Sequence, residues 1–266
     1  MSYRPAAVAG SFYPSNIQPL QEALQSLLAK AANSPLLPQV QGKLKAIIVP
    51  HAGYIYSGSI AATAYHLLQQ RRDNTKRVLL LGPNHRVALR GMAIPSHEAF
   101  TTPLGNVPLD QKILTALSRM QGVKIMDQAH ALEHSLEVQL PFLQTVLDSF
   151  SLIPVVVGEC SPDLVQTVLQ LVWDDPKTLI VVSTDLSHFH DYHSASDIDR
   201  QTSELICQKD WHLHGEQACG ANPLNGLLKY AVSIGADIVE LARCNSGDTA
   251  GDRDRVVGYG AYALFA

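Results

Sequence analysis

Six short apolar runs set among helix-like patterns constrain this chain more than any other feature. They are Leu44–Val49, Arg77–Leu81, Leu152–Val157, Thr178–Val182, Asp237–Leu241 and Val256–Phe265. Most are nearly continuous in apolar residues, many of them β-branched. Strands covered on one face only would alternate apolar and polar positions instead. Helical patterns lie at Gln18–Ala31, Ser59–Gln70, Asp110–Met120, Leu132–Leu147, Pro162–Trp173, Ala195–Cys207 and Pro223–Ile234. Pro141 should kink or divide the fourth of these. Alternating buried strands and helices predict an α/β fold: a central, mostly parallel or mixed sheet with helices on both faces. The loosest segment, Ala31–Gly42, reads as a connection after the first helix rather than a domain boundary. Residues 1–266 are therefore read as a single domain.

Composition narrows the function classes. Twenty basic and 24 acidic residues give a formal charge of −4. A protein that binds nucleic acid through phosphates wants a strongly basic face, so no nucleic-acid partner is expected. No apolar stretch is long enough to span a membrane, and the first residues resemble neither a signal nor a transit peptide. The four cysteines, Cys160, Cys207, Cys219 and Cys244, include no CxxC pair. They read as reduced thiols of a cytoplasmic protein. Three read as inert. Cys244 stays open between an inert strand-end thiol and a soft metal ligand.

The informative polar residues fall where the apolar runs stop. Val49 is followed by Pro50-His51-Ala52-Gly53-Tyr54, and Leu81 by Gly82-Pro83-Asn84-His85. Val182 is followed by Ser183-Thr184-Asp185-Leu186-Ser187-His188, and Leu241 soon by Arg243-Cys244-Asn245-Ser246-Gly247-Asp248. Ligands of open α/β sheets bind at the carboxyl ends of strands. His51 and His85 are the leading metal-ligand candidates, since neutral imidazole suits zinc, iron, copper and nickel. Either alone reads as a hydrogen-bonded turn residue; the matched pair reads as a site. Asp185 is a candidate acid–base residue, or equally a helix N-cap, and His188 is its candidate partner. His134 and Glu137 share a helix face and suit an outer, ligand-orienting role. Tyr54 is a candidate hydrogen-bond donor in the pocket. Where Cys244 is not a ligand, Asp248, Asp252 or Asp254 offers a carboxylate. His66, His97, His130, His212 and His214 lack a constellation. The chain contains no GxxxxGK[ST], GxSxG, HExxH or GxGxxG motif, which argues against P-loop, serine-elbow, zincin and standard dinucleotide-binding chemistry.

Taken in order, several motifs resemble the Memo family, the middle member of the AmmeMemoRadiSam set. They are RPAAVAGSFYP (Arg4–Pro14), PHAGYIYSG (Pro50–Gly58), LGPNH (Leu81–His85), EHSLEVQLPFL (Glu133–Leu143), STDLSHF (Ser183–Phe189), Cys219-Gly220, NSGD (Asn245–Asp248) and VVGY (Val256–Tyr259). The resemblance implies a fold similar to the class III extradiol dioxygenases. It also implies metal ligation by His51 and His85, completed by a cysteine for which Cys244 is the nearest match. Asp185 and His188 match residues lining the same pocket. The implied cofactor is iron(II), with copper as the alternative and zinc behind both. The implied function is that of a redox metalloprotein of unassigned reaction. The alternatives are an extradiol-type dioxygenase acting on a catechol and a module that binds a peptide or partner without catalysis. A small molecule or peptide is the implied ligand. A functional link to a radical-SAM protein and an AMMECR-like protein is also implied. Because a thiolate would stand where those dioxygenases use a carboxylate, ring cleavage does not follow from the resemblance.

Overall fold

The computed structural model describes residues 2–32 and 42–266. The Ala31–Gly42 connection expected from sequence therefore lies mostly outside the described residues. Among the described residues there are twelve strands: β1 Tyr3–Arg4, β2 Leu44–Val49, β3 Arg77–Pro83, β4 Met92–Ile94, β5 Ala99–Thr102, β6 Gly105–Pro108, β7 Val123–Ile125, β8 Ser151–Val157, β9 Thr178–Ser183, β10 His188–His190, β11 Asp237–Asn245 and β12 Val256–Phe265. The α-helices are α1 Ile17–Ala31, α2 Tyr54–Leu67, α3 Gln111–Leu117, α4 Asp127–Ala131, α5 His134–Glu137, α6 Leu140–Val146, α7 Pro162–Trp173, α8 Tyr192–Cys207 and α9 Ala221–Ile234.

The main sheet runs β10-β12-β2-β9-β3-β8-β4-β7, with β11 on the far side of β12. Its centre is parallel: β2 pairs with β9, β9 with β3, and β3 with β8. β12 joins β2 antiparallel, and β4 joins β8 antiparallel. The sheet is thus mixed, as expected. A small second sheet holds β1, β5 and β6. All four central parallel strands are buried along most of their length, which is why they read as unbroken apolar runs.

The order of the strands creates the site. The chain passes from β2 through α2 to β3, and returns from β8 through α7 to β9, which inserts between β2 and β3. Crossovers in such sheets are right-handed, so opposite directions of travel put α2 and α7 on opposite faces. α7 packs with α9, and α9 packs on β3 and β9. The carboxyl ends of β2, β9 and β3 stand side by side at the point where the winding reverses, a standard place for a ligand crevice.

Pro141 divides the long helical pattern as expected, into α5 and α6, and sits in the first turn of α6. α5 lies hard against the end of β3. A Cβ on Gly82 would stand 2.8 Å from Leu136 Cδ2 and 2.9 Å from the Ser135 hydroxyl. Only a glycine lets α5 approach that closely, and this brings His134 to the strand ends.

Candidate metal centre

His51 leaves β2 and His85 leaves β3, with β9 between them. Their strands are therefore about 9.6 Å apart, two strand spacings. The side chains close that gap: the two imidazole centroids are 5.3 Å apart. His134, the first residue of α5, completes the group at 5.4 Å from His51 and 4.7 Å from His85. One ring nitrogen from each lies within 4.8 Å of the others, so these residues could hold a metal ion.

Each ring is held from behind. His51 Nδ1 lies 2.8 Å from Ser183 Oγ, at the end of β9. His85 Nδ1 lies 2.9 Å from Glu133 Oε1, and the His85 backbone N–H donates to Glu133 Oε2 at 2.7 Å. The same carboxylate caps α5 by accepting from Ser135 N–H. His134 Nδ1 is buried and makes no hydrogen bond. The ring of Phe12 lies 4.8 Å from it.

The thiol at this site belongs to Cys219. Its Sγ is 3.3 Å from His51 Nε2 and accepts from the Asp185 backbone N–H at 3.3 Å. Gly220 permits this: a Cβ there would stand 2.6 Å from Thr184 Cβ and 2.8 Å from Ser183 O. Neither Cys219 nor Cys244 belongs to the three-histidine group itself. Cys244 lies on β11, beyond β12 and two strand spacings from β2, where it pairs with Tyr259. The nearby carboxylates are engaged elsewhere. Asp248 accepts from Asn245 N–H and from the Tyr192 hydroxyl, and Asp252 accepts from Asp254 and Arg255 N–H.

Asp185 is buried and accepts the His51 N–H at 2.7 Å, with its second oxygen 3.8 Å from His51 Nε2. Burial pushes its carboxyl up to about 7, against the pull of that N–H. Burial, then the neighbouring His134, His85 and His188, hold His51 well below the usual imidazole range. Burial brings His134 down to about 4. Burial also opposes ionisation of Glu133, but the His85 hydrogen bond and charge outweigh it and hold the carboxyl at about 2. Burial and the Asp185 charge push the Cys219 thiol up to about 12. His188 opens β10, half-buried, and is lowered by burial.

Two expected outer residues face elsewhere. The Tyr54 hydroxyl donates to Val138 O at 2.8 Å and its ring packs on Tyr13 and Phe142, so it is a core anchor rather than a pocket donor. Glu137 lies on α5 as expected, but its carboxylate turns away from the imidazoles. It accepts from Arg4 Nη1 at 2.5 Å, from Ala7 and Val8 N–H, and from the Tyr13 hydroxyl at 2.6 Å. Glu133, not Glu137, braces an imidazole. Sequence reasoning tied to strand ends missed Cys219, Glu133 and the inward place of His134. The Cys-Gly pair and the Glu-His pair were the available signals.

The sequence profile of a family described as "Memo-like protein" matches residues 4–263. A MEMO1 family protein of Methanopyrus kandleri is 34% identical over 276 residues, covering 97% of each chain. One from Ignicoccus hospitalis is 34% identical over 281 residues, covering 98% of each. Among solved structures, an uncharacterized protein of Escherichia coli K12 superposes with a TM-score of 0.50 at 11% identity. It covers 84% of this chain and 100% of its own, a likeness of fold alone.

Proposed function

The chain belongs to the Memo family, and from that premise we propose that it is a non-haem metal-binding redox protein. Iron(II) is the proposed ion, with copper as the alternative. His51, His85 and His134 would hold it, with the Cys219 thiolate as a further donor. The observation that carries this reading is three converging imidazoles, one ring nitrogen from each within 4.8 Å of the others. A buried imidazole nitrogen with no partner, as on His134, fits a group that an ion would complete. Imidazole and thiolate together suit a borderline or soft transition ion over magnesium or calcium.

Such an ion would supply one-electron chemistry and an open position for a small ligand. The chain's own residues would do the rest. Ser183 and Glu133 orient two of the rings. Asp185 and His188 are the proposed proton-handling pair, Asp185 standing beside His51 with one oxygen on its backbone N–H. Since donors must be deprotonated to bind, uptake would release the Cys219 proton.

The test is metal content after anaerobic purification from iron-rich medium, beside a His51→Ala/His85→Ala variant. Near-stoichiometric iron or copper in the wild type, absent from the variant, is expected. Trace metal in both, with failed anaerobic iron titration, would overturn the reading. An extradiol-type dioxygenase is the second reading, favoured by the position of the imidazoles at the strand ends. The two nearest carboxylates are already engaged, Glu133 with His85 and Asp185 with the His51 N–H. A catechol panel run on the fully loaded protein would return a ring-cleavage product only under that second reading.

A further inference from the structure

Resting on the metal reading above, we infer that Ser183 and Glu133 are positioning residues. They fix His51 and His85 in the Nδ1-protonated tautomer and leave His134 as the adjustable ring.

Ser183 Oγ has three neighbours and one proton. Ser135 O can only accept, so at 2.7 Å it takes the serine proton. Gln139 Nε2 donates to Ser183 Oγ at 2.9 Å. The orientation of that amide is forced: Nε2 also faces Pro50 O at 2.9 Å, which can only accept, and Oε1 accepts from the Tyr65 hydroxyl at 2.9 Å. Ser183 therefore has only a lone pair left for His51, 2.8 Å away, and His51 Nδ1 must carry the proton. Its Nε2 lone pair then faces inward, towards the Cys219 S–H at 3.3 Å. The relay Tyr65–Gln139–Ser183 is wholly buried. Water is thus kept from offering His51 an alternative partner.

His85 reaches the same state by a different route. Glu133 receives two backbone N–H groups, one on each oxygen, from His85 and Ser135. A carboxylate so placed accepts at both oxygens, and His85 Nδ1 at 2.9 Å must donate. His134 Nδ1 lies 3.4 Å from Glu133 Oε1 without a hydrogen bond. No hydrogen bond fixes its tautomer. Two rings are thus set before any ion arrives, and one is free to adjust to it. A ring preset by an outer hydrogen bond binds metal more tightly, and loss of such a partner typically costs about 10–100-fold in affinity.

The experiment reads tautomers directly. Metal-free wild type with isotope-labelled histidine is examined by long-range nitrogen–proton correlation, which separates the two singly protonated ring forms. His51 and His85 are expected to be Nδ1-protonated, and His134 a mixture. Ser183→Ala should release His51, and Glu133→Ala, which removes both acceptor oxygens, should release His85. Each variant should lose about 10–100-fold in cobalt(II) affinity, followed by visible absorption. Nε2-protonated His51 or His85 in the wild type would overturn the inference, whatever the variants do. So would variants that bind cobalt(II) as tightly as the wild type. Preset rings in a wild type that takes up neither cobalt nor iron would instead overturn the metal reading and leave the tautomer assignment standing.

Discussion

Burial keeps His130 uncharged inside the fold. Its Nε2 faces Ala93 O at 3.0 Å, and burial brings the ring down to about 3. The unfolded chain, with an ordinary imidazole near 6.5, binds more protons than the folded one between those values. Stability contributed by neutral His130 is therefore complete above about pH 6.5 and falls as pH drops towards 3, by up to about 1.4 kcal/mol per pH unit. Denaturant unfolding of chelator-treated protein at several pH values should show this slope. His130→Gln, whose amide can keep the bond to Ala93 O, should flatten it; an unchanged slope would rule this histidine out. At the same scale, the part of the candidate cluster legible in sequence was what directly follows a strand, namely His51 and His85. Cys219 follows no strand. It arrives because Gly220 lets its loop touch Thr184, a tolerance that spacing along the chain does not announce. Gly220→Ala should push that loop outward and weaken cobalt(II) binding about tenfold or more, with a smaller change in folding stability. Equal affinity would show that the close approach is dispensable.

One carboxylate gathers much of the N-terminal segment. Glu137 on α5 collects Arg4, two backbone N–H groups and the Tyr13 hydroxyl, while Phe12 lies on His134 and its carbonyl accepts from Tyr54 N–H at the start of α2. The segment is thereby bonded to α5, which carries His134, and to α2, which follows His51 in the chain. Breaking a buried ion pair by removing one partner costs about 3–5 kcal/mol. Glu137→Gln should therefore lose stability on that order, and hydrogen exchange at Ala7 and Val8 should speed up before the sheet opens. Protection unchanged at those two amides would refute the clasp. Sequence spacing correctly gave His134 and Glu137 a common helix, but Arg4, the Ala7 and Val8 N–H groups and the Tyr13 hydroxyl draw the Glu137 carboxylate away from the imidazoles, and those partners are distant in sequence. The six long strands and most helices between them were legible: burial on both faces leaves a composition signal in five of those strands, while β11, half-exposed, showed only as the short run Asp237–Leu241. β1, β4, β5, β6, β7 and β10 were not legible. They have two to four residues each, and apart from the short β5–β6 hairpin they pair with partners distant in sequence.

The buried apolar side chains form one contiguous cluster running from Val8 to Leu264. No helix among the described residues is long and apolar enough to cross a membrane. We expect thermal unfolding to follow a single transition by both near- and far-ultraviolet circular dichroism; two separated transitions would divide the chain into more than one folding unit. If the metal reading holds, free ion at a hundredfold excess over Kd adds about 2.7 kcal/mol and raises that transition by several degrees. The winding order has another consequence, in time. β2 is among the earliest strands made, yet the partner that covers its outer edge, β12, is made about 200 residues later. At roughly 5–20 residues per second of synthesis, that edge of β2 stands open for tens of seconds. Until β12 docks, the nascent chain presents an apolar strand edge of the kind that templates aggregation. A molecular chaperone that shields such edges would be needed most during this interval, and least once the final strand emerges.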